Sequence, residues 1–473
     1  MAVGIVSYGA YIPISRLSLA KVSQMWGGQA RTGEKAVANC DEDSLTLATE
    51  AISDCLTGID RQSVDSLYLA STTPVYYGKQ SASIIAKVVD LRREVLTADI
   101  TGSVRSGTIA FGSAMDGINA GSATRSLVVA SDCRVPAPDS ELEMLAGDGS
   151  AALLFGNSDI AVEIEGSYTI TSDFMDIWKR PEDTYLHTWE DRFLIECGYF
   201  DHVKEVVKGL FQRYGVKPGD FARVVLYPYD ARRHSELAKQ LGFDKSQMQD
   251  HMLASIGHTG AASTLIMLVA ALEEAKAGDR ILLINYGDGG DAFILRITEQ
   301  IERVRGRRGI KRNLASKIML PSYGKYVHYR NLMEWGIEYS PQPLASLAMS
   351  WRDRNMILGC KGNKCTECSN IMFPPQRVCS WCQTKDKFEE VRLSDKKGTL
   401  FTYSKDSSSL VTLDPPSVIA IVDFEGGGRF STVMTDRDPD KIEVGMPVEL
   451  TLRRVHEARG IHNYFWKCRP PRA

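Results

Sequence analysis

"SGTIAFGSAMDGINAGSATRSLVVASD", residues 106–132, decides the fold. It opens on small residues that suit a helix start and runs through an apolar helix to an "AG" stop at Ala120 and Gly121. It ends in a buried strand reaching Asp132. "GAASTLIMLVAALEEAKAGDRILLINYGD", residues 260–288, repeats this plan. Internal duplication is the economical reading; the bland one is that any two helix–strand units look alike.

Outward from these segments, short β-branched runs at 65–71, 95–100, 151–156, 222–228 and 292–297 read as further strands. Helical patterns fall near 42–57, 80–90, 203–214 and 231–241. Strands apolar on both faces and separated by helices imply α/β layers.

At 473 residues the chain is too long for one ordinary core, so two or three domains are expected. A formal charge of -3 gives no general reason to expect nucleic acid or an acidic membrane as partner. The start, "MAVGIVSYGAYIPISRL", lacks a basic segment ahead of its apolar residues and reads as a first strand rather than a signal peptide. "ASTLIMLVAALEEA" meets Glu273 well short of the roughly 20 residues of a membrane span. A cytoplasmic protein is expected, and its ten cysteines are then not disulfide-bonded. The basic run "IERVRGRRGIKR", 301–312, reads as a solvated connector, with a grip on an acidic group as the alternative. "SPQPLAS" after Tyr339 looks like a boundary.

Two CxxC knuckles, Cys365 with Cys368 and Cys379 with Cys382, are separated by ten residues. Four thiolates enclose Zn²⁺ tetrahedrally with no open position, the pattern of a structural site. The bland alternative is a ribbon that has lost its metal, or a redox pair. Cys360 reads as an ordinary thiol. Beyond the ribbon, "GTLFTYS", "SVIAIVDFE", "RFSTVMTD", "MPVELTLRRV" and "NYFWKC" supply about five strands, the count of a small OB-type barrel. Its many acidic residues argue against nucleic-acid binding.

Assembled, these parts resemble a 3-hydroxy-3-methylglutaryl-CoA synthase of the archaeal and bacterial type, in the thiolase superfamily, fused to the zinc-ribbon and OB-fold protein that accompanies such enzymes. The residues that carry the resemblance are "GIVSYGAYIP", "ADITGSVRSGTIAF", "GDGSAALLFG", "TSDFMDIWKRP", "YFDHV", "SIGHTGAAS", "NYGDGGDAF", "PSYGKYVHYRNLM" and "CTECSNIMFPPQRVCSWC". The resemblance implies a five-layered αβαβα fold with internal duplication, a homodimer, and an acyl-CoA thioester as substrate. The expected domains are a thiolase-like N-terminal half at 1–165, a C-terminal half with connector at 166–340, a zinc ribbon at 341–392 and an OB fold at 393–473.

Carried over residue by residue, the family's catalytic positions all depart from its pattern. Matching Asp99, Gly107 and Thr108 puts Val104 where the nucleophilic cysteine belongs. The histidine position falls on Tyr227, the asparagine position on His258, and the general-base glutamate position on Thr73. Valine cannot attack a thioester, and threonine supplies no carboxylate.

Acyl transfer by the family mechanism needs an activated thiolate. Ser103, Ser106 and Cys133 are the substitute nucleophiles within reach in sequence, although serine also suits turns and helix starts and a strand cysteine is ordinarily a buried thiol. Aldol chemistry needs no acyl-enzyme, and Tyr227 and His258 can move protons and donate to an oxyanion. Some superfamily members that work with zinc-ribbon and OB-fold partners look like such aldolases, lacking the cysteine and relying on tyrosines. Val104, Thr73, Asp148, Gly149, Asn285 and Gly289 are expected to shape the substrate pocket, while Asp288 and Asp291 read as turn residues. "VYYGKQ" and "PEDTYLHTWEDRF" offer aromatics for an acyl pocket.

Three functions follow: an acyl-CoA carbon–carbon lyase or synthase of aldol type, an acyl transferase with a substitute nucleophile, or a non-catalytic acyl-CoA binder that holds a partner enzyme. The cofactors expected are structural zinc and the coenzyme A of the substrate.

Overall fold

Val-, Leu- and Ala-rich runs become the central strands of a nine-stranded sheet because both of their faces are covered. In chain order these strands are β1 (Gly4–Tyr11), β2 (Ser66–Ala70), β3 (Leu96–Ile100), β4 (Arg125–Asp132), β5 (Gly149–Gly156), β6 (Val162–Thr171), β7 (Arg223–Leu226), β8 (Arg280–Tyr286) and β9 (Gly289–Ile297). The computed structural model describes residues 2–333, 344–407 and 414–472. Two units are resolved, one of Met1–Asn39, Asp43–Ala86 and Leu91–Tyr326, the other of Cys40–Glu42, Lys87–Asp90 and Val327–Ala473. The expected boundary at 340 lies outside the described residues.

Strand order across the sheet of the first unit is β3-β2-β4-β5-β1-β6-β9-β8-β7. Read from the centre outward, β1-β5-β4-β2 on one side mirrors β6-β9-β8-β7 on the other. The pairing senses mirror as well: β2 with β4 and β7 with β8 are parallel, whereas β4 with β5 and β8 with β9 are antiparallel. The two halves are therefore copies of one plan. They meet at β1 and β6 through only two residue pairs, Gly4 with Glu163 and Ile5 with Val162.

Helices complete five layers. α1 (Ser44–Cys55) and α2 (Ser106–Asn119) cover opposite faces of the first half; α3 (Asp201–Tyr214) and α4 (Ser263–Glu274) do the same for the second. α1 begins with a reciprocal capping box between Asp43 and Thr46. α2 and α4 form the middle layer, and every residue of α4 from Ser263 to Leu272 is buried, which is why its sequence is apolar all round. A Cβ at Gly107 would lie 2.7 Å from the Ala261 carbonyl oxygen, so only glycine lets the beginnings of the two middle helices approach this closely.

The basic run at 301–312 is not a solvated connector. Arg305 donates to the carbonyls of Glu273 and Ala275 at 2.9 and 2.6 Å, and Asp54 accepts from the Arg308 and Gly309 amides. Its charges close helix ends of the first unit.

In the second unit, β10 (Lys361–Cys365), β11 (Ile371–Met372) and β12 (Phe388–Arg392) make the ribbon. β13 (Gly398–Asp406), β14 (Ser417–Phe424), β15 (Arg429–Val433), β16 (Pro447–Ala458) and β17 (Ile461–Arg469) make a five-stranded sheet in the order β15-β14-β13-β16-β17, the OB-fold domain. Arg453 is wholly buried there and pairs with Asp436 at 2.6 Å and Glu42 at 3.0 Å. No helix among the described residues is long and apolar enough to cross a membrane.

Candidate active site

The turn between β3 and α2 carries Ser103, Val104 and Arg105. Arg105 grips Asp291 with two hydrogen bonds of 2.8 Å, and Thr108 Oγ1 donates to the same carboxylate at 2.7 Å. Asp291 therefore belongs to β9 and to a buried ion pair, not to a turn. The pair binds the start of α2 to the second half. Ser103 Oγ accepts from the Arg105 amide and Ser106 Oγ donates to the Ser103 carbonyl, the engagement of turn residues. Val104 packs against a cluster that includes Tyr199, Tyr227 and Tyr286. A Cβ at Gly287 would sit 3.0 Å from both Ser103 Oγ and Val104 Cγ2, so the β8–β9 corner presses directly on this turn.

Tyr227 follows β7 at once, and its amide continues the ladder by donating to Ile284 O at 2.9 Å. His258 is equally fixed: its amide donates to Leu145 O at 2.7 Å, and its carbonyl accepts from Gly147 N at 3.0 Å. Both side chains are 2% exposed, so His258 is not the solvated turn residue its flanking glycines suggest. Their rings meet edge to face with centroids 5.1 Å apart.

Three potential donors converge on one nitrogen of His258. Arg134 Nη2 lies 2.6 Å from Nδ1, the Gly260 amide 3.2 Å and Ser263 Oγ 3.3 Å. This network assigns the tautomer: Nδ1 accepts and Nε2 carries the proton. Burial first, and the Arg134 charge second, hold the imidazole well below its usual range, so it stays neutral. Nε2 is buried and has no hydrogen-bond partner. A buried donor without a partner costs free energy unless a ligand or water satisfies it.

His258, Tyr227, Tyr229 and Arg134 lie on a cavity of about 430 Å³ whose remaining wall is largely aliphatic, including Met144, Leu145, Ile177 and Leu186. Its mouth carries the exposed ion pair of Arg31 with Glu141. A second cavity, about 750 Å³, is lined by Thr73, Tyr76, Tyr77, Lys79, Asp99, Cys133 and, again, Leu186. Asp132, bonded to Thr72 and Thr73 of the second cavity, accepts from Ser71 Oγ, Thr72 N and Thr73 Oγ1 on one oxygen and from Thr72 Oγ1 and Ala261 N on the other. Thr73 Oγ1 also accepts from the Cys133 amide at 3.0 Å.

Of the residues expected to shape the substrate pocket, Thr73 lines the second cavity, and Val104, Asp148, Gly149, Asn285 and Gly289 line neither. Asp148 accepts from the Ala38 amide at 2.7 Å. Gly149 faces Ile266 of α4, and Gly289 crosses the backbone at Ile170. Asn285 accepts from Thr264 of α4 at 2.7 Å and donates to Thr108 of α2 at 3.0 Å, tying the middle helices together. "VYYGKQ" contributes its aromatics Tyr76 and Tyr77 to the second cavity, whereas "PEDTYLHTWEDRF" places no aromatic on either cavity and reaches both through Leu186.

Several site residues escaped the sequence reading. Tyr199, on a π-helical turn at Leu194–Phe200, donates its hydroxyl to the Tyr227 carbonyl at 2.7 Å. Tyr229 stacks on Tyr199 at 5.2 Å, and Tyr286 meets Tyr227 at 5.5 Å. Asp176, inside "TSDFMDIWKRP", faces the Tyr286 hydroxyl without a hydrogen bond of normal geometry. Burial, opposed by Tyr286 and Arg134, pushes its carboxyl up to about 6. Burial likewise raises the phenols of Tyr227, Tyr229 and Tyr286, which stay protonated near neutrality.

In the second unit the four knuckle sulfurs converge within 4.8 Å of one another, with Cys365 to Cys382 and Cys368 to Cys379 both at 3.6 Å. Tetrahedral zinc with Zn–S near 2.3 Å sets its ligand sulfurs roughly 3.8 Å apart. The donor set fits that ion, and the spacing is far too long for a disulfide.

Comparison with known proteins agrees with this geometry. Residues 211–297 match the family described as 3-oxoacyl-[acyl-carrier-protein (ACP)] synthase III C terminal, and residues 390–453 match ChsH2, C-terminal OB-fold domain. A hydroxymethylglutaryl-CoA synthase from Methanosarcina mazei is 33% identical over 344 residues, 70% of this chain and 98% of the relative. A crystal structure of an HMG-CoA synthase complexed with CoA superposes with a TM-score of 0.65 at 20% identity, covering 73% of this chain and 95% of that one. The 3-oxoacyl-[acyl-carrier-protein] synthase III of Aquifex aeolicus superposes at 0.57 with 23% identity, over 62% and 99%. With near-complete coverage of such relatives on a duplicated thiolase fold, the chain belongs to the hydroxymethylglutaryl-CoA synthase family of the thiolase superfamily, extended by a C-terminal OB-fold domain.

Proposed function

We propose that the protein acts on an acyl-CoA thioester and breaks or forms a carbon–carbon bond by aldol chemistry, with no acyl-cysteine intermediate. One observation carries this reading: the first cavity is lined by two residues held as proton donors, Tyr227 and His258, and Val104, on the turn that packs against the Tyr227 cluster, stands where the family's cysteine nucleophile belongs. Such donors stabilise negative charge on a thioester enolate oxygen and do so best where water is excluded.

In the cleavage direction a 3-hydroxyacyl thioester loses its hydroxyl proton to a base. The C2–C3 pair then moves into the thioester, the C3 fragment leaves as an aldehyde or ketone, and the enolate takes a proton at C2. Atoms and charge balance without an external oxidant or reductant. The Arg134 contact is central, since it fixes His258 as a donor instead of an acceptor.

The same reading makes the protein a cytoplasmic homodimer through its first unit, with structural zinc on Cys365, Cys368, Cys379 and Cys382 and a further acyl-CoA enzyme as a natural partner. The ribbon ligands lie far in sequence from the cavity residues and serve folding, not chemistry.

Intact-mass measurement after brief exposure to acetyl-CoA and longer acyl-CoAs, with acid quenching, tests the central point. Thioester binding without a covalent adduct is expected. An acyl group mapped to Ser103, Ser106 or Cys133 would overturn the proposal in favour of acyl transfer.

A further inference from the structure

The aldol reading leaves one role unfilled, that of a group which takes the 3-hydroxyl proton and supplies one to C2. Position 73, where the family resemblance would put a carboxylate, holds threonine, and its hydroxyl is engaged with Asp132. The charged and titratable side chains on the first cavity, besides its two tyrosines, are Arg31, Arg134, Glu141, Asp191, Asp230 and His258. Glu141 is clamped by Arg31 at the exposed mouth through bonds of 3.0 and 2.9 Å. Asp191 is exposed, and Asp230 caps the helix Ala231–Gln240 through the Arg233 amide at 2.8 Å. His258 has its accepting nitrogen occupied.

Four tyrosines pack together beyond the end of β7, and their hydroxyls are of two kinds. Tyr199 spends its hydroxyl on the Tyr227 carbonyl at 2.7 Å, the Tyr286 hydroxyl is closed off from solvent, and neither residue lines the cavity. Tyr227 and Tyr229, on either side of Pro228, both line it. Among the described residues, neither of their hydroxyls has a hydrogen-bond partner or is closed off. The Tyr229 ring is stacked on Tyr199 with centroids 5.2 Å apart and planes at 26°. The ring is thereby fixed while its hydroxyl stays available. Tyr227, edge to face with His258, is already assigned to the thioester oxygen, so Tyr229 is the hydroxyl left on this wall for the other oxygen of the reaction.

Resting on the aldol reading above, the geometry points to Tyr229 as the catalytic residue that relays a proton from the 3-hydroxyl to C2. The substrate O–H pair becomes the second bond of the C3 carbonyl, and the C2–C3 pair passes into the thioester, where Tyr227 meets the developing charge. The Tyr229 oxygen keeps the hydroxyl proton and gives its own phenolic proton to C2. Tyr229 is a neutral phenol before and after, so the step balances without an ionised base. Burial raises this phenol, and nearby carboxylates add to the effect, which keeps it in the form that a relay uses.

The test uses the full-length protein with 3-hydroxyoctanoyl-CoA and 3-hydroxy-3-phenylpropanoyl-CoA, following hexanal or benzaldehyde release with acetyl-CoA formation. Tyr229→Phe should lower kcat by roughly 10²–10⁴-fold. Octanoyl-CoA affinity, measured by calorimetry, should change by less than about threefold, since the ring that stacks on Tyr199 is kept. Asp230→Asn, which preserves the helix cap, should lose far less, under about tenfold. Wild-type kcat should be level from pH 7 to 9, because a relay does not ionise; a rise of about tenfold per pH unit would show a phenolate base and overturn the relay. If wild type cleaves these thioesters and Tyr229→Phe matches it, or Asp230→Asn carries the larger loss, the assignment to Tyr229 falls while the aldol reading stands. If wild type cleaves neither, both fall.

Discussion

Arg134 Nη2 sits 2.6 Å from His258 Nδ1, so a cation and an imidazole are held together as donor and acceptor, not as two like charges. The contact sets what His258 can do: its one remaining proton points away from Arg134, and protonation of the ring is suppressed.

Removing the two donors should separate chemistry from binding. Tyr227→Phe and His258→Ala are each expected to lower kcat for cleavage of a 3-hydroxyacyl-CoA by about 10²–10³-fold, a usual loss for one oxyanion donor. Octanoyl-CoA affinity should stay within a few-fold. Unchanged turnover in both variants would remove these residues from the mechanism.

Breaking the buried ion pair at the start of α2 should cost stability. Arg105→Met leaves Asp291 uncompensated beside Thr108 and Thr169 and is expected to destabilise the first unit by about 3–5 kcal/mol. Urea unfolding followed by circular dichroism reads the change. A loss under 1 kcal/mol would mean that the threonines alone support the carboxylate.

Metal content tests the ribbon. One zinc per chain is expected by elemental analysis, and Cys368→Ser or Cys379→Ser should abolish it. Chelation should then expose the ribbon to proteolysis near Cys365–Cys382. Stoichiometric iron in place of zinc would reassign the site.

Asp176 should also be a stability liability at neutral pH. Its folded-state value of about 6 lies above the ordinary 3.8, so folding binds a proton and stability is lost as pH rises through this window. Asp176→Asn is therefore expected to stabilise the protein by roughly 2 kcal/mol at pH 7.5 and to make little difference below about pH 3, where Asp176 is protonated folded and unfolded alike. Thermal melts at the two pH values check the sign. Equal destabilisation at both would show that the carboxylate is a structural support.

Much of the fold could be read in advance because its determinants are local. The apolar sequence of α4 announces a helix buried on all sides, and the matching segments at 106–132 and 260–288 announce two equivalent halves, which the mirrored strand order confirms. The CxxC spacing brings four sulfurs together for a similar reason, since each knuckle is a tight local turn. Asp176 and Tyr286 were not legible as site residues. Asp176 lies in a stretch between β6 and the π-helical turn with no regular pattern, and its surroundings come from Arg134, Tyr227, Tyr229 and Tyr286, all distant in sequence. Asp291 was misread because adjacent glycines suggest a turn, whereas its partner Arg105 is 186 residues away.

Leu186 forms part of the wall of both cavities. A shared wall makes the two chambers competitors for the same space, because a larger side chain that narrows one also intrudes on the other, and a smaller one merges them. Space in the two chambers is then not two adjustable quantities but one, and a substitution that resizes one chamber has to be repacked against the other.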